Sequence, residues 1–135
     1  MKMIVCIDDR GGMLFNGRRL SSDKAVTARI LQMCAGNRLW VNSYTQRLFT
    51  DDGAVCCSDQ PAQMAKAGEY CFGENWDVTE WIPKAEELIL FWWNRAYPAD
   101  LYFPIAVLQS GWQQIYREEF PGNSHTCITM EVYRR

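Results

Sequence analysis

The sequence predicts an open α/β sheet that is mostly parallel and carries an antiparallel edge. Short apolar runs alternate with amphipathic stretches through most of the chain, as in strand-helix units that build a parallel sheet. The C-terminal part instead holds two segments of alternating polarity, Trp112 to Phe120 and Thr126 to Tyr133, around Pro121-Gly122-Asn123. Such a pair is typical of an antiparallel hairpin at one edge of the sheet. The 135 residues suit a single domain over positions 1–135.

The first unit of this sheet is a strand, a loop and a helix. Lys2 to Ile7 is an apolar run that predicts a buried strand, and the loop after it, with Gly11-Gly12, runs to about Leu20. Ser21-Ser22-Asp23 then offers side-chain oxygens that can cap a helix. Gly36-Asn37 is a typical helix end. One face of this helix carries Val26, Ile30, Met33 and Cys34.

The later elements follow the same alternation. The further predicted strands are Leu39 to Val41, Ala54 to Cys57, Tyr70 to Phe72 and Leu88 to Trp93. The predicted helices are Tyr44 to Phe49 capped by Ser43, Pro61 to Ala67 closed by Gly68, and one beginning at Asp77 with Pro83 near its end. Asp51-Asp52-Gly53 is a predicted turn, and the pattern from Ala96 to Leu108 favours no single element.

Ligands of open α/β sheets bind beyond the carboxyl ends of the strands. Those ends carry the loop from Asp8 to Leu20, the Asn42-Ser43 turn and the Phe72-Gly73-Glu74 turn. We therefore expect a site there. The arginines Arg18 and Arg19 beside the first loop could recognise a small anionic ligand or could form a solvated surface.

Composition and charge exclude several classes of protein. With 48% hydrophobic and 22% charged residues, the chain has the balance of a soluble globular domain. The most apolar stretch, Leu88 to Trp93, is far shorter than a membrane span, and no signal peptide opens the sequence, so we expect a cytoplasmic protein without a membrane partner. The net charge of −2 gives no general attraction to nucleic acid.

Cysteine and histidine usage argues against a metal site. The six cysteines form no Cys-x-x-Cys pair, and we expect them to be reduced thiols. His125 is the only histidine, which argues against metal sites built on several histidines and against a Ser-His-Asp triad. We predict no bound metal. The adjacent Cys56-Cys57 pair suits packing better than redox chemistry.

The C-terminal half resembles dihydrofolate reductase. The resemblance is carried, in order and spacing, by Pro83-Lys84-Ala85 before Leu88-Ile89-Leu90, by Ala99-Asp100-Leu101-Tyr102-Phe103-Pro104, and by Trp112, Glu118-Glu119-Phe120, Asn123-Ser124-His125 and Glu131-Val132-Tyr133-Arg134-Arg135. It implies the open mixed sheet of that family, mostly parallel with an antiparallel C-terminal hairpin and with helices on both faces.

The resemblance also implies a catalytic carboxylate and a pterin pocket. Asp23 falls where the family has a buried carboxylate that binds the pterin ring and promotes its protonation while NADPH delivers hydride. Val5, Thr27 and Phe72 would line the pterin pocket. The lid over the site would hold Gly12, Met13, Asn16, Gly17 and Arg18. From the residues alone, a helix cap is the favoured role of Asp23, and only the resemblance makes the catalytic role an equal alternative. The glycines can be simple turn residues.

Departures from the family concentrate at the cofactor. By resemblance, Ser43, Tyr44, Thr45, Gly73 and Glu74 are the cofactor-binding positions. Glu74 stands where the family has the second glycine of a pair, and its negative charge opposes a pyrophosphate. The family's arginine in its Gly-Arg-x-Thr pattern is absent, since the chain has Asn42-Ser43-Tyr44-Thr45. The chain is also shorter than the family over about residues 50–68, in the adenosine-binding region.

Two functions follow from these observations. The protein could be a divergent reductase of a folate, pterin or related heteroaromatic, with Asp23 positioning or protonating the substrate. It could instead be a non-catalytic small-molecule-binding or regulatory protein that keeps the fold and has lost NADPH-dependent reduction. We predict that NADPH binds weakly or not at all. Exposed aromatic residues could form a homodimer face, which leaves monomer and homodimer open.

Overall fold

A computed structural model describes residues 1–49 and 53–135 of the chain. Asp51 and Asp52 of the predicted turn lie outside these described residues. The strands are β1 (Lys2–Ile7), β2 (Gly12–Phe15), β3 (Arg18–Arg19), β4 (Leu39–Val41), β5 (Val55–Cys57), β6 (Tyr70–Phe72), β7 (Glu87–Trp92), β8 (Leu101–Tyr102), β9 (Gln113–Phe120) and β10 (Ile128–Arg134). The helices are α1 (Lys24–Met33), α2 (Ser43–Gln46) and α3 (Pro61–Met64), with 3-10 helices at Thr79–Lys84 and Ile105–Gln109.

Seven strands form the main sheet in the order β5-β4-β6-β1-β7-β10-β9. Every pair from β5 to β7 is parallel, whereas β10 is antiparallel to both β7 and β9. The predicted fold class is therefore confirmed. The carboxyl ends of β1, β4 and β6 meet at one edge, which brings the segments after Ile7, Val41 and Phe72 together.

Alternate residues of the central strands enter two separate cores. Ile4 of β1 and Ile89 of β7 pack with α1 on one face of the sheet, whereas Val5 and Leu90 pack on the other face with Ile82 of the 3-10 helix. Helical segments consequently cover both faces. Neighbouring residues of one strand therefore lie on opposite faces of the sheet. This decides which of the predicted site residues can lie together.

The segment between β1 and α1 departs from the sequence prediction. It is not a single loop, because β2 and β3 form a hairpin and β2 also pairs with β8. Asn16 and Gly17 both have positive φ, at 51° and 74°, as an Asn-Gly turn between two antiparallel strands requires. The sequence signal was present, but the two short strands beside the turn alternate too weakly to stand out.

Several helices differ from prediction in their ends. Asn42, not Ser43, caps α2, since its Oδ1 accepts a hydrogen bond of 3.0 Å from the Thr45 amide. The predicted helix Tyr44 to Phe49 is accordingly shifted and shorter. The segment predicted from Asp77 is a 3-10 helix. None of the helices in residues 1–49 and 53–135 has the length and apolar character needed to cross a membrane.

Candidate functional site

Asp23 lies at the start of α1 and binds the loop between β9 and β10. Its Oδ1 accepts hydrogen bonds from the amides of Ala25 and Asn123, both at 2.8 Å. Its Oδ2 accepts hydrogen bonds from the amides of Ser124 at 2.8 Å and His125 at 3.1 Å, and from the Ser124 hydroxyl at 3.1 Å. We call Asp23 with residues 122–125 the Asp23 anchor. Burial opposes ionisation, but these hydrogen bonds outweigh it and hold the pKa of Asp23 well below its usual range.

A glycine makes the close approach of this loop possible. A Cβ at Gly122 would lie 2.6 Å from Asp23 Oδ2 and 2.8 Å from the His125 carbonyl oxygen. No side chain fits at that distance. The side chain of Asp23 has no solvent exposure, and its carboxylate both caps α1 and holds the loop between β9 and β10.

The side chain of His125 joins Asp23 to Ser21. His125 Nδ1 lies 2.8 Å from Asp23 Oδ2, and its Nε2 lies 2.9 Å from Ser21 Oγ. The imidazole stacks on Trp93 with ring centroids 4.7 Å apart. A single histidine is enough for this hydrogen-bonded series of Ser21, His125 and Asp23, because the β9–β10 loop carries it to the start of α1.

A second buried carboxylate, Glu74, lies just beyond the end of β6. Its Oε2 accepts a hydrogen bond from Arg19 Nε at 2.9 Å, and its Oε1 accepts one from Arg19 Nη2 at 3.0 Å. Thr45 Oγ1 donates to Oε1 at 2.7 Å. The Arg19 guanidinium also lies 4.3 Å from the ring centroid of Tyr44, whose hydroxyl accepts the Arg19 amide. We call Arg19, Tyr44, Thr45 and Glu74 the Glu74 cluster.

This cluster changes the properties of both charged groups and of a nearby thiol. The paired Glu74 carboxylate raises the pKa of Arg19. Burial, together with the charge of Glu74, raises the pKa of the Cys6 thiol well above its usual value. Cys6 is therefore a neutral thiol, and a neutral thiol is a poor nucleophile.

A small cavity lies between the Asp23 anchor and the Glu74 cluster. Its volume is about 10 Å³, close to the minimum for one water molecule. Asp23, Thr27 and Phe72, which the resemblance assigns to the pterin site, all line it. It is lined by Cys6, Ser21, Ser22, Asp23, Val26, Thr27, Leu48, Phe72, Glu74 and Trp93.

A larger pocket opens beside the β2–β3 hairpin, with a volume of about 480 Å³. We call it the hairpin pocket. Arg18 and Phe15 are exposed at its wall. The other lining residues are Asn16, Arg19, Leu20, Tyr97 and Pro98.

The structure brings some of the predicted site residues together and separates others. Thr27 and Phe72 share the small cavity with Asp23, whereas the Val5 side chain packs in the opposite core. Tyr44, Thr45 and Glu74 join in one cluster, and Ser43 is an exposed residue of α2. Of the predicted lid, Gly12 and Met13 lie in β2, Asn16 and Gly17 form the turn, and Arg18 lies in β3.

The backbone at Gly73 is in close contact with Trp76 and Val78, which affects whether a cofactor can approach it. A Cβ at this position would lie 2.9 Å from the Trp76 ring and from Val78. The indole of Trp76 thus packs directly against the backbone that, by resemblance, approaches the cofactor. Within the part of the chain that the structure describes, no group of three His, Cys, Asp or Glu side chains is arranged to hold a metal ion.

Sequence reasoning missed several residues of this region, among them Cys6, Ser21, Trp93 and His125. Cys6 was detectable, since it alternates with Val5 along β1 and must face the opposite side of the sheet. For Ser21 and His125 no local signal exists, because their contact joins residues 104 positions apart.

Of the comparisons with known proteins, the one with solved structures finds a match and the other two do not. No protein-family model matches the sequence, and no curated protein matches it. A solved structure described as dihydrofolate reductase from Enterococcus faecalis complexed with NADP(H) and RAB-propyl is similar, with a TM-score of 0.67 and 16% sequence identity, over 99% of this chain and 95% of that chain. The protein described here therefore has a dihydrofolate reductase-like fold.

Proposed function

We propose that this protein binds a small anionic, planar molecule in the hairpin pocket and does not carry out nicotinamide-dependent reduction. The observation that carries the proposal is the Glu74 cluster. An ion pair with two hydrogen bonds, at 2.9 and 3.0 Å, stands where the resemblance expects a glycine beside a pyrophosphate. A cofactor phosphate would have to separate Arg19 from Glu74 and would then lie against an uncompensated buried carboxylate.

The small cavity beside Asp23 also argues against nicotinamide-dependent reduction of a pterin. A cavity of about 10 Å³ does not admit a bicyclic ring without displacement of its walls. The oxygens of Asp23 already accept hydrogen bonds from four backbone amides. A pterin would therefore compete with the loop that Asp23 holds in place.

The hairpin pocket has the properties of a ligand site. Its volume of about 480 Å³ lies in the range of small-molecule sites. Arg18 supplies a guanidinium for a carboxylate or phosphate, and Phe15 and Tyr97 supply aromatic surface for a planar group. An anionic heteroaromatic molecule matches both features.

A thermal-shift titration tests the proposal, because a ligand of the native state raises the melting temperature by mass action. The probes are NADPH, folate, nucleoside monophosphates and small aromatic carboxylates. We expect a nucleoside monophosphate or an aromatic carboxylate to raise the melting temperature of the protein. The Arg18→Gln variant should lose that shift, whereas Arg117→Gln, which removes an exposed arginine of β9, should keep it.

NADPH is an informative probe because the similar Enterococcus faecalis structure is described with NADP(H). Micromolar or tighter NADPH binding that survives Arg18→Gln would overturn the proposal in favour of a divergent reductase. A shift that Arg18→Gln and Arg117→Gln reduce equally would contradict the assignment of the hairpin pocket.

A further inference from the structure

Ser21, His125 and Asp23 form a continuous hydrogen-bonded series. Ser21 Oγ lies 2.9 Å from His125 Nε2, and His125 Nδ1 lies 2.8 Å from Asp23 Oδ2. Serine, histidine and aspartate in this order and at these distances are the arrangement of serine acyl-transfer enzymes, which recurs on unrelated folds. We propose that Ser21 is the nucleophile of a second site that hydrolyses small carboxylic esters.

The ionisation of Asp23 fixes the roles of the two imidazole nitrogens. Hydrogen bonds from the loop amides keep the pKa of Asp23 low, so this side chain is a carboxylate that only accepts hydrogen bonds. In a neutral imidazole, Nδ1 must then carry the hydrogen. Nε2 is left with a lone pair that accepts the hydroxyl hydrogen of Ser21, which is the arrangement a general base needs.

The base is held rigidly. The side chain of His125 is only 5% exposed, and it stacks on Trp93 at an interplanar angle of 24°. The amide of the same residue donates to Asp23 at 3.1 Å. Backbone and side chain of His125 are thus fixed by one carboxylate, which limits rotation of the ring away from Ser21.

The space beside Ser21 limits the size of the acyl group. The cavity that Ser21 lines has a volume of only about 10 Å³, and the larger cavity of about 200 Å³ beyond His125 is not bordered by Ser21. Ser21 itself is only partly buried, unlike Asp23. The acyl group must therefore be small and must reach Ser21 from its solvent-exposed side.

The proposed reaction needs only an ester and water. Ser21 Oγ bonds to the ester carbonyl carbon while its proton passes to His125 Nε2. The carbon–oxygen bond to the alcohol then breaks, and the alcohol leaves with that proton. Water attacks the acyl-serine in the same way, which releases the carboxylic acid and restores Ser21. No oxidant, metal or cofactor takes part in these steps.

Labelling with a fluorophosphonate tests the proposal on the whole protein. The reagent transfers its phosphonyl group to an activated serine with loss of fluoride, and peptide mapping identifies the serine. We expect modification at Ser21, no modification in Ser21→Ala, and an undiminished rate in Ser22→Ala, which removes the neighbouring exposed hydroxyl. His125→Gln should lower the labelling rate at least about 100-fold.

Hydrolysis of p-nitrophenyl acetate provides the turnover measurement, with the same order among the variants. Melting temperatures recorded in parallel show whether each variant is folded. Mapping on the unaltered protein decides the question even if His125→Gln fails to fold. Absence of label at Ser21, or label at Ser21 no faster than at Ser22, would overturn the proposal. These outcomes do not depend on a ligand in the hairpin pocket.

Discussion

The Asp23 anchor and the Glu74 cluster use the same chemical group in two different ways. Both hold a buried carboxylate at the edge of the cleft. Asp23 takes most of its hydrogen bonds from backbone amides, four in all, whereas Glu74 takes its hydrogen bonds from the side chains of Arg19 and Thr45. The path of the chain decides where backbone amides can donate, whereas the identity of the residues decides which side chains can donate. We therefore expect the first carboxylate to stabilise the fold and the second to control what enters the cleft.

The largest expected effect is that of Asp23→Ala on stability. The change leaves the amides of Asn123, Ser124 and His125 without their acceptor and removes the helix cap. We expect a loss of about 3–5 kcal/mol in the free energy of unfolding, measured by urea denaturation. Ser22→Ala, one residue away and exposed, should change the same quantity by less than about 0.5 kcal/mol. A loss below about 1 kcal/mol for Asp23→Ala would mean that the loop holds its path without the carboxylate.

The second prediction concerns the loss of stability in acid. The pKa of Asp23 in the folded protein is lowered from its ordinary value of 3.8, so the unfolded chain takes up a proton first as the pH falls. The stability that Asp23 contributes is therefore fully present above about pH 4 and is lost as the pH falls further.

The difference in unfolding free energy between the natural protein and Asp23→Ala should accordingly be constant from pH 5 to 7 and shrink below pH 4. Denaturation curves at several pH values measure this difference. Other carboxylates, such as Glu118 with its pKa lowered to about 2 by Arg29, also weaken the fold in acid. They affect both proteins equally, so a difference that stays constant down to pH 2 would contradict the low pKa of Asp23.

Sequence could predict the strands of the main sheet, the cap of α1 and the departure at Glu74, because each depends on neighbouring residues. It could predict the charge of Glu74 but not its partner, since Arg19 is 55 positions away. The contacts between Asp23 and the β9–β10 loop span about 100 positions and depend on the register of β9 with β10. Asn16-Gly17 is a typical hairpin turn in sequence, but strands of four and two residues beside it are too short to be predicted as strands.

The smallest expected effect, and the one that separates the two carboxylates most sharply, is that of Glu74→Gln. The amide keeps one acceptor for Thr45 or Arg19 but loses the charge, so we expect a loss of about 2 kcal/mol in unfolding free energy. Glu119→Gln is the matched control: its pair with Arg117 is about half exposed on both sides, and its loss should be near zero. Because the charge that opposes phosphate is also gone, Glu74→Gln should bind NADPH more tightly than the natural protein in the same thermal-shift titration, whereas Asp23→Ala should not. If the two variants changed NADPH binding alike, the division of roles between a structural and a gating carboxylate would be wrong.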